Sequence, residues 1–317
     1  MTLVYILLAV LLLLLAAGYA GFRIACLRSS VPPVPPTEEY VRHTSFSRWT
    51  GEVCRGAEWI LAQDPQELHV VSYDGKRLSA RYIPCENARG TLLLFHGYRS
   101  SGLVDFGLSA EFLHRQGYNL LLPDQRAHGE SEGRCITFGA RERYDVLSWV
   151  TYLSQMLGAE HPMYLMGISM GASTVLMSSC FDFHANVRGV VADCGFTSPY
   201  AIMKEVLHER CPRLPAKPLL FFTGLYTAVF GGFTLKGCST VDAVRATAMP
   251  ILFIHGTGDR FVPCRMSEEA YAACAGEKRL LLIDGARHAE SYAVDRPRVQ
   301  SALEEFFENH LPKENPV

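Results

Sequence analysis

The sequence predicts an α/β domain built on a mainly parallel sheet of eight strands, with helices on both faces and one apolar helix before it. Three observations support this fold class. Short apolar runs alternate with helical patterns from residue 67 onward, which is typical of a parallel sheet covered on both sides. Most runs are apolar throughout, as strands buried on both faces should be. An uncharged stretch also opens the chain. Hydrophobic residues make up 49% of the whole chain of 317 residues, which excludes wholesale disorder.

The N-terminal stretch predicts a membrane anchor over residues 1–22. No charged side chain occurs from Thr2 to Phe22, and about 20 helical residues span the hydrocarbon core of a bilayer. A cleaved signal peptide is the alternative, but no Lys or Arg precedes the apolar run. Arg23 and Arg28 follow the span, so the positive-inside rule favours a cytoplasmic location for the domain that follows.

A linker and N-terminal segment are predicted over residues 23–66. Val31–Pro36 contains four prolines and predicts a stiff spacer, and a helix is expected over Glu52–Ala62. The spacer predicts that the anchor is separate from the domain. A chain without residues 1–30 is therefore expected to be soluble and active.

The main domain is predicted over residues 67–312. The first two strands lie close together in the chain and predict an antiparallel edge. Residues 211–237 interrupt the alternation with three prolines and an apolar run, which predicts a small helical cap insertion over about residues 200–245. The eight predicted strands are Leu68–Tyr73, Leu78–Pro84, Thr91–Phe95, Asn119–Pro123, Met163–Met166, Gly189–Ala192, Ile251–His255 and Arg279–Ile283.

A glycine-flanked serine lies between a predicted strand and a predicted helix. The motif is Gly167-x-Ser169-x-Gly171, followed by a helical pattern over Ala172–Ser179. The two glycines permit a sharp turn, so the serine hydroxyl projects from it as a nucleophile does in a strand–turn–helix elbow. A glycine-rich turn with an incidental serine is the alternative, but it does not explain the downstream partners.

Two candidate partners of the serine follow later strands in the expected order. A serine hydroxyl needs a base within hydrogen-bonding reach, and His288 lies on the loop after the last predicted strand. The base needs a carboxylate that orients it, and Asp259 follows the preceding strand. Asp193, which follows the strand before the cap, is the competing acid. We expect the set Ser169, Asp259 and His288 at the carboxyl ends of the strands.

Acyl transfer also needs N–H donors for the developing oxyanion. The backbone N–H of Met170 comes directly after the serine. The second predicted donor is the backbone N–H of Tyr98, in the loop His96-Gly97-Tyr98 after the third strand. His96 is interpreted as a structural brace of that loop rather than as a catalytic group.

These motifs together resemble a known family. The segments that carry the resemblance are Phe95-His-Gly97, Asp124–Ser131, Gly167–Gly171, Gly256–Asp259 with Val262-Pro263, and His288. They resemble the α/β-hydrolase superfamily over residues 67–310, and are most similar to membrane-anchored bacterial hydrolases of the Bem46 and serine-aminopeptidase-like branches. The resemblance implies the α/β-hydrolase fold and a site-shaping role for the loop 124–131, without catalysis by Asp124 or His128. Many relatives carry Asn or Gly where this chain has Tyr98 and Arg99.

The predicted function is a serine hydrolase that cleaves a small carboxylic ester through an acyl-enzyme, with no metal or organic cofactor. A peptidase or amidase, a thioesterase or a lipase with the same three residues is the alternative. A membrane-tethered interaction protein without catalysis is a further alternative of a different class. A nucleic-acid partner is not expected, because the formal net charge is −2 and no basic run occurs. The sequence does not indicate the oligomeric state or the physiological substrate.

The uncharged run over residues 219–235 predicts an apolar lid above Ser169. Its aromatic side chains are expected to line an acyl pocket, since such pockets are mostly apolar. These four residues are Phe221, Phe222, Tyr226 and Phe230. A buried core helix is the alternative, and three glycines argue against a second membrane span.

Overall fold

The computed structural model of the chain describes residues 1–28, 31–183 and 186–312. Eight strands form one sheet in the order β1-β2-β4-β3-β5-β6-β7-β8, which confirms the predicted fold class. Every predicted strand is present, with ends that differ by at most two residues. The strands are β1 (Gln66–Val71), β2 (Arg77–Ile83), β3 (Gly90–Phe95), β4 (Tyr118–Pro123), β5 (Met163–Ile168), β6 (Val187–Asp193), β7 (Ile251–Gly256) and β8 (Lys278–Ile283).

The sheet is parallel except at one edge. Strand β2 pairs antiparallel with both β1 and β4, while β3 to β8 pair in parallel. Ile168 pairs with Asp193, Asp193 with Ile254, and Gly256 with Ile283. The carboxyl ends of β5 to β8 therefore reach the same edge, and the loops that follow them can meet there.

Helices cover both faces of the sheet. Phe306 and Phe307 of the last helix belong to one core, and Trp149 belongs to the core on the opposite face. The helices are α1 (Thr2–Cys26), α2 (Glu38–Arg42), α3 (Thr50–Ala62), α4 (Gly102–Asp105), α5 (Ala110–Arg115), α6 (Glu142–Leu157), α7 (Met170–Ser178), α8 (Pro199–Arg210), α9 (Ala216–Tyr226), α10 (Thr240–Arg245), α11 (Arg265–Ala273), α12 (Ser291–Val294) and α13 (Arg296–Asn309).

The cap lies between β6 and β7 and packs against the N-terminal helix. It contains α8, α9, a π-helical turn over Thr227–Gly231 and α10. Helices α1 and α9 approach so closely that a Cβ on Gly18 would lie only 2.5 Å from the Cβ of Phe222. Small residues permit such contacts between helices. The rings of Tyr19 and Tyr226 add a contact at 5.3 Å between centroids.

Helix α1 is long and apolar enough to cross a membrane, with a mean hydropathy of 2.6. Its first half is exposed, whereas Gly18, Phe22 and Cys26 are buried against the domain. Apolar helices of this kind include membrane spans and signal sequences. The helix extends four residues beyond the predicted end of the anchor.

The C-terminal end of α1 is hydrogen-bonded to the main domain. Tyr98 donates its hydroxyl to the carbonyl of Ala25 at 2.8 Å, and Arg99 Nη2 donates to the carbonyl of Ile24 at 2.7 Å. Arg28 Nη1 donates to the carbonyl of Ser131 at 2.6 Å. The expectation that the proline spacer separates the helix from the domain is therefore wrong. The sequence contains no local pattern that reveals this long-range packing.

Removing residues 2–28 should destabilise the domain, whereas removing residues 2–13 should not. The longer deletion uncovers apolar side chains of the cap, such as Leu220 and Phe233, while the shorter one removes only exposed residues of α1. The loss of several buried side chains should lower Tm by roughly 5 °C or more, at about 2–4 °C per kcal/mol. Thermal unfolding of both variants in the same mild detergent measures this difference. Equal Tm values for the two deletions would contradict the structural role of residues 14–28.

Candidate active site

Ser169 lies on a sharp turn between β5 and α7. Its backbone has φ 56° and ψ −115°, which is a strained conformation for a residue with a side chain. A Cβ on Gly171 would lie 1.9 Å from the carbonyl oxygen of Phe95, and one on Gly167 would lie 2.3 Å from the backbone of Gly171. Both glycines of the motif are therefore required by close backbone approach, and the serine projects from the carboxyl edge of the sheet.

His288 connects Ser169 with Asp259. Its Nε2 lies 2.9 Å from Ser169 Oγ, and its Nδ1 lies 2.7 Å from Asp259 Oδ2. His288 follows β8 and Asp259 follows β7, so the aligned strand ends bring together residues that are distant in the chain. The arrangement can carry a proton from the hydroxyl to the imidazole while the carboxylate holds the ring.

The Asp259 carboxylate accepts several hydrogen bonds. Its Oδ1 accepts the backbone N–H groups of Phe261 and Val262, both at 2.9 Å. Burial alone would raise the pKa of Asp259, but hydrogen bonds from His255 and His288 outweigh it and hold the pKa well below the usual range. The group is therefore ionised at neutral pH.

His255 is a contact of Asp259 that the sequence reasoning missed. It is fully buried at the end of β7, and its Nε2 lies 3.3 Å from Asp259 Oδ2. Its Nδ1 lies 2.7 Å from Ser267 Oγ. Its position four residues before Asp259 was the available signal, but on a predicted strand this spacing does not indicate a contact.

Asp193, the competing acid, has a different partner. Its Oδ1 accepts the hydroxyl of Ser291 at 2.9 Å, and its backbone carbonyl accepts the N–H of Ser169 at 2.8 Å. Burial raises the pKa of Asp193 to about 6. Asp193 therefore ties the turn at Ser169 to the segment that follows His288, whereas Asp259 contacts His288 directly.

The loop after β3 lies against Ser169. A Cβ on Gly97 would lie 3.4 Å from the Cβ of Ser169. Asp105 holds this loop, because its Oδ2 accepts the N–H of Gly97 at 2.5 Å and its Oδ1 accepts the hydroxyl of Ser100 at 2.5 Å. Tyr98 and Ser169 line the same cavities. Met170 begins α7, and the first N–H groups of a helix have no intrahelical acceptor.

Two histidines brace the loops beside the serine. His96 is buried, with Nδ1 2.8 Å from the carbonyl of Gly97, while its Nε2 accepts the N–H of Gln125 at 3.1 Å. His128 Nε2 accepts the N–H of Arg99 at 3.0 Å, and burial lowers the pKa of His128 to about 3. Both rings are engaged by backbone groups, which fits the structural role expected for His96.

Two cavities meet at Ser169. One has a volume of about 510 Å³ and polar lining residues that include His43, Ser45, Ser100 and His288. The other has a volume of about 480 Å³ and a mainly apolar lining from α1, α8 and α9. The residues common to both linings are Tyr98, Arg99, Ser169, Arg210 and Phe261.

The four cap aromatics do not line either cavity in the described part of the chain. Phe221 and Phe230 are 63% and 61% exposed. Phe222 packs on Gly18 of α1, and the Tyr226 ring stacks on Phe230 at 6.0 Å. The apolar wall comes instead from other residues of α9, including Leu219, Leu220 and Thr223. The expectation that these aromatics form the pocket is therefore wrong, because α1 occupies the neighbouring face of α9.

One group of side chains could be considered for a metal ion. Ligand atoms of Cys194, Asp259 and His288 lie within 4.8 Å of one another. Asp259 and His288 are already hydrogen-bonded to each other, and burial raises the pKa of the Cys194 thiol well above its usual value. Because Asp259 and His288 are hydrogen-bonded to each other and His288 also to Ser169, the geometry of this set is explained without a metal ion.

Comparisons with known proteins support the fold. The sequence family described as alpha/beta hydrolase fold matches residues 90–218. The chain is 27% identical over 238 residues to the protein YqkD of Bacillus subtilis, covering 74% of this chain and 76% of the relative. It is 29% identical over 131 residues to the thiohydrolase aneE of Aspergillus aculeatus, covering 40% of this chain and 41% of the relative.

A solved structure has a similar fold. The esterase Pf2001 of Pyrococcus furiosus superposes with a TM-score of 0.62 at 24% identity, over 78% of this chain and 93% of that one. At this level of identity, the similarity between the two proteins shows a shared fold and nothing more. The strand order and the match of residues 90–218 to the family together show that the chain has the α/β-hydrolase fold.

Proposed function

We propose that the chain is a serine hydrolase that cleaves carboxylic esters through an acyl-enzyme intermediate. The observation that carries the proposal is the continuous hydrogen-bond chain from Ser169 through His288 to Asp259. A serine, a histidine and an aspartate that are hydrogen-bonded in this order activate the serine hydroxyl as a nucleophile.

Each residue has one role in the proposed reaction. Ser169 Oγ attacks the carbonyl carbon while its proton moves to His288 Nε2, and the N–H groups of Tyr98 and Met170 stabilise the oxyanion. The imidazolium then gives the proton to the leaving alcohol, which departs and leaves the acyl-enzyme. Water, activated by His288, completes the turnover. Asp259 remains ionised and holds the ring in the required orientation.

The shape of the site favours an ester with an apolar acyl group. The apolar cavity opens beside Ser169 and has a suitable lining for a hydrocarbon chain. The polar cavity on the other side contains His288 and provides room for the leaving alcohol and for the hydrolytic water.

A thioesterase is the second candidate, because aneE, which is 29% identical over 131 residues, is named a thiohydrolase. A peptidase acting on free N-termini needs a carboxylate for the substrate amine. Asp105 lines the polar cavity, but both of its oxygens accept hydrogen bonds within the protein. An ester substrate is therefore better supported than a peptide with a free N-terminus.

We also propose that α1 anchors the enzyme in a membrane. The helix is 25 residues long, and only 6% of its most apolar window is buried. Apolar side chains that are exposed along such a length favour lipid as their surroundings.

Ser169→Ala should abolish hydrolysis of p-nitrophenyl esters and labelling by a fluorophosphonate probe, because no other group would supply the attacking oxygen. Ser148→Ala is the matched control, since Ser148 lies on α6 and its hydroxyl donates to the backbone of Tyr144. Ester turnover and probe labelling are measured on both variants and on the wild type. Near-normal turnover by Ser169→Ala would refute the assignment. An unreactive wild type would favour a non-catalytic interaction protein.

Asp259→Asn should lower kcat by about 10⁴, because the amide would stabilise the wrong imidazole tautomer. Asp193→Asn should have a much smaller effect, since Asp193 bonds Ser291 and not His288. Steady-state kinetics of the two variants measure this difference, with Tm as a check of folding. A larger loss in Asp193→Asn than in Asp259→Asn would show that the acid had been assigned to the wrong residue.

A further inference from the structure

The last turns of the N-terminal helix form one wall of the apolar cavity. Ala17, Ala20, Gly21 and Ile24 of α1 line it on one side, and Ser169 lines it as well. The facing side belongs to the cap helices α8 and α9. The helix that has the composition of a membrane span therefore also belongs to the substrate site.

The length of α1 determines where this cavity lies relative to a bilayer. Residues 2–13 are all exposed, and burial against the domain begins with Leu14 and Leu15. At a rise of about 1.5 Å per residue the exposed stretch measures about 18 Å, which is shorter than the hydrocarbon core of about 30 Å. If α1 spans the membrane, the part that packs against the cap must also lie at hydrocarbon depth.

The cap has an exposed apolar surface beside α1 that fits this depth. Phe221, Leu225, Val229 and Phe230 of α9 and the following turn are 44–74% exposed. Phe230 contacts Phe22 of α1 at 6.0 Å between ring centroids, so this surface continues the apolar surface of the helix. A lipid bilayer would cover both the exposed apolar side chains of α1 and those of the cap at the same time.

The second cavity gives the site an amphiphilic character. It joins the apolar cavity at Ser169, and its own lining residues include the polar side chains of His43, Ser45 and Ser100. An ester bond at Ser169 would therefore have its acyl chain on the apolar side and its alcohol on the polar side.

We propose that the substrate is an acyl ester of a polar head group that resides in the membrane, and that its chain lies between α1 and the cap. This proposal rests on the proposed serine-hydrolase function and names its substrate class. The chain enters from the hydrocarbon side while the head group stays in the polar cavity. Water hydrolyses the acyl-enzyme, so the products are a fatty acid and the head-group alcohol.

The first test narrows the cavity from the side of α1. Ala20→Phe places a ring on the cavity wall, whereas Ala9→Phe makes the same change on the exposed part of the helix, about 16 Å away along the axis. The full-length variants are compared in lipid nanodiscs on p-nitrophenyl esters from acetate to dodecanoate. The ratio of kcat/KM for dodecanoate to that for acetate should fall at least roughly tenfold in Ala20→Phe, since each buried methylene is worth about fourfold in affinity. It should stay at the wild-type value in Ala9→Phe.

A second measurement needs no substitution. A long-chain alkyl fluorophosphonate that carries a terminal diazirine reacts with Ser169 of the wild-type enzyme in nanodiscs, with loss of fluoride, and the labelled enzyme is then irradiated. The expected cross-links fall on residues 17–25 or on the facing cap helices. Cross-links found only outside α1, α8 and α9, or an unchanged chain-length ratio in Ala20→Phe, would overturn the proposal.

The two proposals fail in distinguishable ways. A wild type that neither hydrolyses acetate nor reacts with the phosphonate would refute the hydrolase function itself. A wild type that does both, but whose chain-length profile is insensitive to Ala20→Phe, would refute only the membrane-substrate inference. Loss of folding in Ala20→Phe leaves the cross-linking result to decide.

Discussion

The architecture of the site depends on the close approach of α7 to the ends of β3 and β5. The carbonyl of Phe95 occupies the space where a Cβ of Gly171 would lie, so the chain can turn at this point only without that side chain. The turn forces Ser169 into a positive φ and orients its hydroxyl toward His288. Strain of this kind persists where surrounding packing determines the backbone, and here β3, β5 and α7 supply that packing.

A network of buried polar groups keeps the reacting residues in register around this turn. Asp193 accepts the N–H of Ser169 with its backbone and the hydroxyl of Ser291 with its side chain. Asp259 is fixed by two backbone N–H groups and by His255. Because the buried carboxylates of Asp193 and Asp259 both have hydrogen-bond partners, the cost of desolvating them is offset and the loop positions are specified.

The N-terminal helix packs against the domain as part of its structure. Its end is hydrogen-bonded by Tyr98 and Arg99, which lie in the loop predicted to hold the oxyanion. The side chains of Tyr98 and Arg99 therefore have a structural role, since they dock α1. Helix α1, the cap and the proposed oxyanion loop form one packed unit, and this unit surrounds the apolar cavity.

The sequence by itself determined the eight strands and the strand–serine–helix turn, because apolar runs and glycine spacing are local patterns that report burial and backbone shape. It also identified Ser169, Asp259 and His288 as partners, since parallel strands bring their carboxyl ends to one edge. Only the tertiary structure decided the contact of His255 with Asp259 and the outward position of Phe221 and Phe230. Both depend on packing between segments far apart in the chain, as does the docking of α1 on α9, where Gly18 and Gly21 lie against Phe222 and Thr223. Such contacts cannot be derived from either segment alone, because each depends on the position of the other.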